Sequence, residues 1–162
     1  MARVLLVGYD PDTVDYSDPA LPRGMTADKI GAGLSLALNQ MTERGWEADL
    51  CLIRPDETAV KTVERHLASA DYACVVIGAG VRLPPQDLTR FETVVNAVHR
   101  AAPAAAIAFN TRPEDSADAA ARWLPPGRAP CRAPKRPQAC YPFGIPSRPS
   151  LSVSSVRFYL LG

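Results

Sequence analysis

The sequence predicts a three-layer α/β fold, a four-stranded and mostly parallel sheet with helices on both faces. Three observations lead there. Between residues 1 and 124, short β-prone apolar runs alternate with longer segments whose apolar residues recur every three or four positions. The short runs are near-continuous in apolar residues, as strands buried on both faces are. The pattern stops at Pro125-Pro126-Gly127, and eight of the sixteen prolines fall in the last 38 residues.

The first strand is read over Ala2 to Val7. A helix follows from Ala27 to Arg44, with Thr26 as N-cap, Asp28 in the first turn and an apolar stripe of Ile30, Leu34, Leu38 and Met41. Gly45 is placed to close it. The second strand spans Glu47 to Ile53, and Asp56 is the cap candidate for a helix carrying Val60, Val63 and Leu67. The third strand, Tyr72 to Ile77, holds the β-prone run Cys74-Val75-Val76-Ile77 and ends in Gly78-Ala79-Gly80, read as a tight turn. Leu88, Phe91, Val94, Val95 and Val98 form the stripe of a helix over Asp87 to Ala102, stopped by Pro103. A fourth strand, Ala105 to Phe109, and a short helix from Ser116 to Leu124 complete the set.

Alternating strands and helices connected by right-handed crossovers leave few arrangements, and the expected spatial order is 2-1-3-4. That order resembles the first part of flavodoxin-like folds and half of a Rossmann-like, dinucleotide-binding fold. The likeness carries no residues over. Asp10 and Asp12 resemble the acidic pair of response-regulator receivers, yet Gly78 stands where such a domain has its phospho-accepting aspartate, and no strand-five lysine exists. Flavodoxins place a Ser/Thr-rich phosphate loop after strand one, where this chain has Gly8-Tyr9-Asp10-Pro11.

The two parts of the chain differ in charge. Residues 1–124 hold 12 basic against 17 acidic residues, and residues 125–162 hold six basic residues and no acidic one. Such asymmetry marks separate physical units. The expected organisation is one α/β domain over 1–124 and an irregular, basic, Pro-rich tail over 125–162 that is largely disordered, or translated in a non-native frame. Ser150 to Leu160 has the composition of a strand, but its apolar alternation slips by one residue midway.

Several chemistries are disfavoured. No run approaches eighteen apolar residues, which argues against a membrane span, and the start lacks the long apolar core and cleavage site of a signal peptide. A cytoplasmic protein is expected. The acidic domain lacks the basic, aromatic-studded face of a specific nucleic-acid binder. Cys51 and Cys74 lie in apolar runs as small hydrophobes, and Cys131 and Cys140 lack metal or redox spacing, so no metal site is expected. His66 and His99 fall late in helices, where they complement the helix dipole, and no Gly-x-Ser-x-Gly elbow exists.

In open parallel sheets, ligands bind beyond the carboxyl ends of the strands, near the point where strand order reverses. Four loops meet there: Gly8 to Met25, Arg54 to Glu57, Gly78 to Gln86 and Asn110 to Asp115. The first is about eighteen residues long, where such connections take about two to six, and it carries Asp10, Asp12, Asp15 and Asp18. Its carboxylates either act on a ligand or set turns. Gly78 and Gly80 begin a dinucleotide-type fingerprint, but Leu83 replaces its third glycine. Arg82 and Arg112 are forked donors suited to carboxylate or phosphate, beside the amide of Asn110 and hydroxyl of Thr111.

The resulting expectation is a small polar or anionic ligand held by Tyr9, Asp10, Asp12, Gly78, Gly80, Arg82, Asn110, Thr111 and Arg112. One alternative is an enzyme using Asp10 as general base or divalent-metal ligand. The other is a homodimeric interaction module, since an open four-stranded sheet has two edges to protect. The cofactor is left undetermined by the residues.

Overall fold

The computed structural model describes residues 1–18, 21 and 23–125. The predicted tail beyond Pro125, with its expected disorder and terminal strand, lies outside the described residues. Four strands, β1 (Arg3–Tyr9), β2 (Glu47–Ile53), β3 (Cys74–Ile77) and β4 (Ala106–Phe109), form one sheet in the order β2-β1-β3-β4. Every pairing is parallel. The helices are α1 (Ala27–Glu43), α2 (Thr58–Ser69), α3 (Ala79–Arg82), α4 (Leu88–Ala101) and α5 (Ser116–Ala121).

The side-chain alternation of β1 divides the core in two. Leu5 and Val7 point to one face, where Val63 and Leu67 of α2 and Val94 and Val98 of α4 cover them. Val4 and Leu6 point to the other, against Leu34, Ala37 and Met41 of α1 and Ala117, Ala119 and Ala120 of α5. Both faces of β1 and β3 are therefore closed to water, and Val4 to Val7 and Cys74 to Ile77 are at most 1% exposed. Each such side chain contributes about 1.5–3 kcal/mol of burial. Helices thus lie on both faces of the sheet, as the alternation of elements predicts.

Local signals place the helix ends. Thr26 Oγ1 accepts from the Lys29 amide to start α1, and Gly45 takes a positive φ of 78° just past its end. Asp56 Oδ1 accepts from the amide and hydroxyl of Thr58 (2.8 and 2.5 Å) at the start of α2, which holds its carboxyl below the usual range.

The departure from expectation comes after β3. Gly78-Ala79-Gly80 is not a bare turn but leads at once into the single helical turn α3. Its first amide, Ala79 N, is bonded by the side chain of Asn110 from the end of β4 (2.7 Å), a long-range cap that no local pattern announces. Gly78 suits the site because an added Cβ would sit 3.1 Å from the Val7 carbonyl oxygen, closer than ordinary van der Waals contact. Gly8, next along β1, has nothing within 4 Å of an added Cβ among the described residues.

The two glycines therefore differ in their tolerance. Gly78→Ala is expected to cost about 1–3 kcal/mol, the usual range for overpacking, and Gly8→Ala about nothing. Denaturant unfolding of the two variants checks this, and equal midpoints contradict it.

Candidate functional site

The carboxyl ends of the strands gather the four predicted loops, and hydrogen bonding there divides them into two groups. The first lies at the ends of β3 and β4. Asn110 is 3% exposed. Its Oδ1 accepts from Ala79 N, its Nδ2 donates to Ser116 Oγ (2.8 Å), and its carbonyl accepts from Arg82 Nη2 (3.0 Å). Arg82 also stacks over the Phe109 ring, 5.8 Å from its centroid, and its buried Nε has no partner among the described residues.

Thr111 donates its amide to Asp115 Oδ1 (3.0 Å) and its hydroxyl to Oδ2. Burial alone would raise the Asp115 carboxyl. The donors from Thr111 and the Arg112 amide outweigh it and hold the group below the usual carboxylate range. Arg112 itself is exposed and makes no side-chain hydrogen bond among the described residues.

The second group surrounds the end of β1. Asp10 Oδ1 accepts from Asp12 N (3.1 Å), capping a 3-10 turn over Pro11–Thr13, and the Asp10 carbonyl accepts from the Thr13 amide and hydroxyl. Asp15 accepts from the Ser17 amide and hydroxyl (2.9 and 2.6 Å), which lowers its carboxyl in the same way. Asp18 accepts from Gln86 Nε2 (3.3 Å). The long loop thus spends Asp10 and Asp15 on its own turns, while Asp12 stays exposed. None of the hydrogen bonds or ion pairs among the described residues joins Asp10 or Asp12 to Arg82 or Arg112, so the predicted constellation does not close into one cluster. Gly80 lies near the Tyr9 ring, with its would-be Cβ 4.0 Å from Cδ2, and contributes closeness instead of a phosphate cradle.

Tyr9 leads to a site that pattern reading did not single out. Its hydroxyl donates to Asp87 Oδ2 (2.9 Å) and accepts from Arg90 Nη1 (3.2 Å), and Arg90 Nη1 also bonds Asp87 Oδ1. Burial raises the Tyr9 phenol above its usual range. The bond from Arg90 offsets part of that rise, and Asp87 adds to it. The side chains of Arg90 and Asp87 are only 27% and 15% exposed. Both bonds made by Arg90 use Nη1, leaving Nη2 and Nε without hydrogen-bond partners among the described residues.

Arg90 stands on the wall of an open groove of about 480 Å³. Gln86, Thr89, Arg90 and Thr93 form one side, at the start of α4, and Pro55, Asp56 and Glu57 of the β2–α2 loop form the other. The signal available in sequence was the position of two of the four loops; the spacing of Tyr9, Asp87 and Arg90 has no local signature.

The remaining nucleophile and metal candidates do not assemble among the described residues. Burial pushes the Cys51 thiol up to about 12 and that of Cys74 to about 11, leaving both protonated in the core. Among the described residues, no group of three or more His, Cys, Asp or Glu side chains lies close enough together to hold a metal ion. No helix among the described residues is long and apolar enough to cross a membrane. Comparison with protein-family models, curated proteins and solved structures finds no match.

Two tests follow from the β3–β4 rim. Asn110→Ala leaves the Ala79 amide and the Ser116 hydroxyl without their partner and is expected to cost about 2–3 kcal/mol in a denaturation midpoint. Asp115 has a depressed native carboxyl, so its contribution is present above the unfolded value of about 3.9 and is lost as pH falls through the lower native value. The stability gap between wild type and Asp115→Asn should therefore be constant near neutrality and shrink on acidification below pH of about 4. A gap independent of pH contradicts the assignment.

Proposed function

We propose that this protein binds a small polar ligand carrying an anionic group, at the carboxyl ends of its strands, in the groove between the β2–α2 loop and the start of α4. The observation that carries this reading is the state of Arg90. Tyr9 and Asp87 hold its Nη1, so the guanidinium is oriented before any ligand arrives, and the Nη2–Nε edge that pairs with carboxylate or phosphate is unengaged.

The surroundings support the same ligand class. The Thr89 hydroxyl and the start of α4 add donors and the positive end of a helix dipole on the Arg90 side. Asp87 precedes α4 but makes no side-chain cap, because its carboxylate is turned to Tyr9 and Arg90. The opposite wall, with Asp56 and Glu57, repels a ligand that is anionic throughout and favours one with hydroxyl or amino groups at its other end. Beyond the anionic group, recognition is by hydrogen bonding, because the named walls carry polar and charged side chains apart from Pro55.

Titration followed by amide NMR tests the reading, with inorganic phosphate, glycerol phosphate and a small amino acid as probes. Resonances of Gln86 to Thr93 and Asp56 to Thr58 are expected to move, and Arg90→Gln to weaken binding about tenfold or more, roughly 1.4 kcal/mol. Arg90→Lys, which keeps the charge without the fork, should fall between the two, and Arg112→Gln should leave binding unchanged. No movement with any probe, or binding indifferent to Arg90→Gln in a folded variant, overturns the proposal.

A further inference from the structure

We propose that the outer edge of β2 is the pairing surface of a homodimer, in which a second copy of the chain adds its own β2 antiparallel, across a two-fold axis at Leu50. The two edges of the sheet are not equivalent. β4 has four residues, and the Ala106 amide bonds the Ala73 carbonyl of the neighbouring strand (3.0 Å), so Ile107 and Phe109 turn their backbone groups outward. The Phe109 carbonyl is already taken by Arg122 Nη2 (2.7 Å). A short, arginine-capped edge is a protected one.

β2 has seven residues. Glu47 N bonds the Ala2 carbonyl (3.0 Å), and Asp10 N bonds the Ile53 carbonyl (2.9 Å), so the odd-numbered residues face β1. The amides and carbonyls of Ala48, Leu50 and Leu52 turn outward, with no partner among the described residues. All three side chains are apolar and share one face of the sheet, in register with Val4, Leu6 and Gly8. An axis at Leu50 sets Leu50 against Leu50 of the second copy and Ala48 against its Leu52. Each facing pair then exchanges both backbone bonds, and apolar meets apolar throughout.

Charge selects the antiparallel sense. The start of β2 is acidic. Glu47 and Asp49 share a single cation, Arg3, at 2.5 and 3.6 Å. At the far end Arg54 follows the strand directly, ahead of Asp56 and Glu57 in the loop, and Arg65 on the overlying α2 acts on the Cys51 thiol, with Lys61 one turn earlier on the same helix face. Antiparallel pairing about Leu50 places Asp49 opposite Cys51 of the second copy, beneath that copy's Arg65. A parallel arrangement sets acid on acid.

Light scattering coupled to size exclusion, and sedimentation equilibrium, on the full chain test the proposal. Wild type is expected to dimerise at concentrations of about 10–100 μM, with a dissociation constant that rises with salt. Leu52→Lys, at a position already 36% exposed, should give a monomer with unchanged circular dichroism, as should Leu50→Arg. Arg65→Glu should weaken the dimer about tenfold or more, and Ile107→Lys on the β4 edge should leave it intact. A wild-type monomer throughout that range, a dimer that survives Leu52→Lys, or one broken by Ile107→Lys overturns the proposal. Leu52→Lys decides the matter if Leu50→Arg does not fold.

Discussion

A strand buried on both faces can carry chemistry only at its ends. β1 and β3 meet that condition: the side chains of Leu5, Val7, Val75 and Ile77 are covered by α2 and α4, and those of Val4, Leu6, Cys74 and Val76 by α1 and α5. Any polar side chain in this stretch would lose its hydration with no partner to replace it, at a cost of several kcal/mol. The polar residues that the fold can use are therefore displaced to the loops beyond Tyr9, Ile53, Ile77 and Phe109.

That displacement explains why the carboxyl-end rim is so densely bonded. Asn110 is buried where the chain leaves β4, and a buried amide needs its donors and acceptors met. It meets them by capping α3 and bonding Ser116 at the start of α5, while Arg82 returns to its carbonyl. One side chain thus ties the ends of β3 and β4 to the beginnings of two helices. On the other side of the rim, Tyr9 reaches from β1 to Asp87 and Arg90 and fixes the start of α4. The first network satisfies Asn110 within the fold and leaves Arg82 Nε buried without a partner among the described residues. The second sets Arg90 on the wall of the open groove, and that access separates the candidate site from the scaffold.

Much of the fold was legible in the residues. The boundaries of β2 and the span of α1 follow from apolar periodicity, the Thr26 cap and Gly45, because these are local signals with local causes. Right-handed crossovers narrowed the strand orders, and the one expected by likeness to flavodoxin-like folds is the one observed. α3 was missed because its cap, Asn110, lies 31 residues away in the chain. The acidic loop shows the complementary case. Asp10 and Asp15 drew notice as carboxylates, and both turn out to accept backbone amides two residues ahead, the common role of aspartate in turns.

The sequence by itself determined the layered α/β class and the two-sided burial of the inner strands, since periodicity is a property of neighbours along the chain. Only the tertiary structure decided which carboxyl-end residues act together. Tyr9 is 78 residues from Asp87 in sequence, and it meets Asp87 and Arg90 because β1 and α4 pack on the same face of the sheet. Asn110 and Arg82, which looked free to bind a ligand, are held by partners that folding brings to them. Burial and hydrogen-bond capacity set that division, and neither can be counted until the chain has closed on itself.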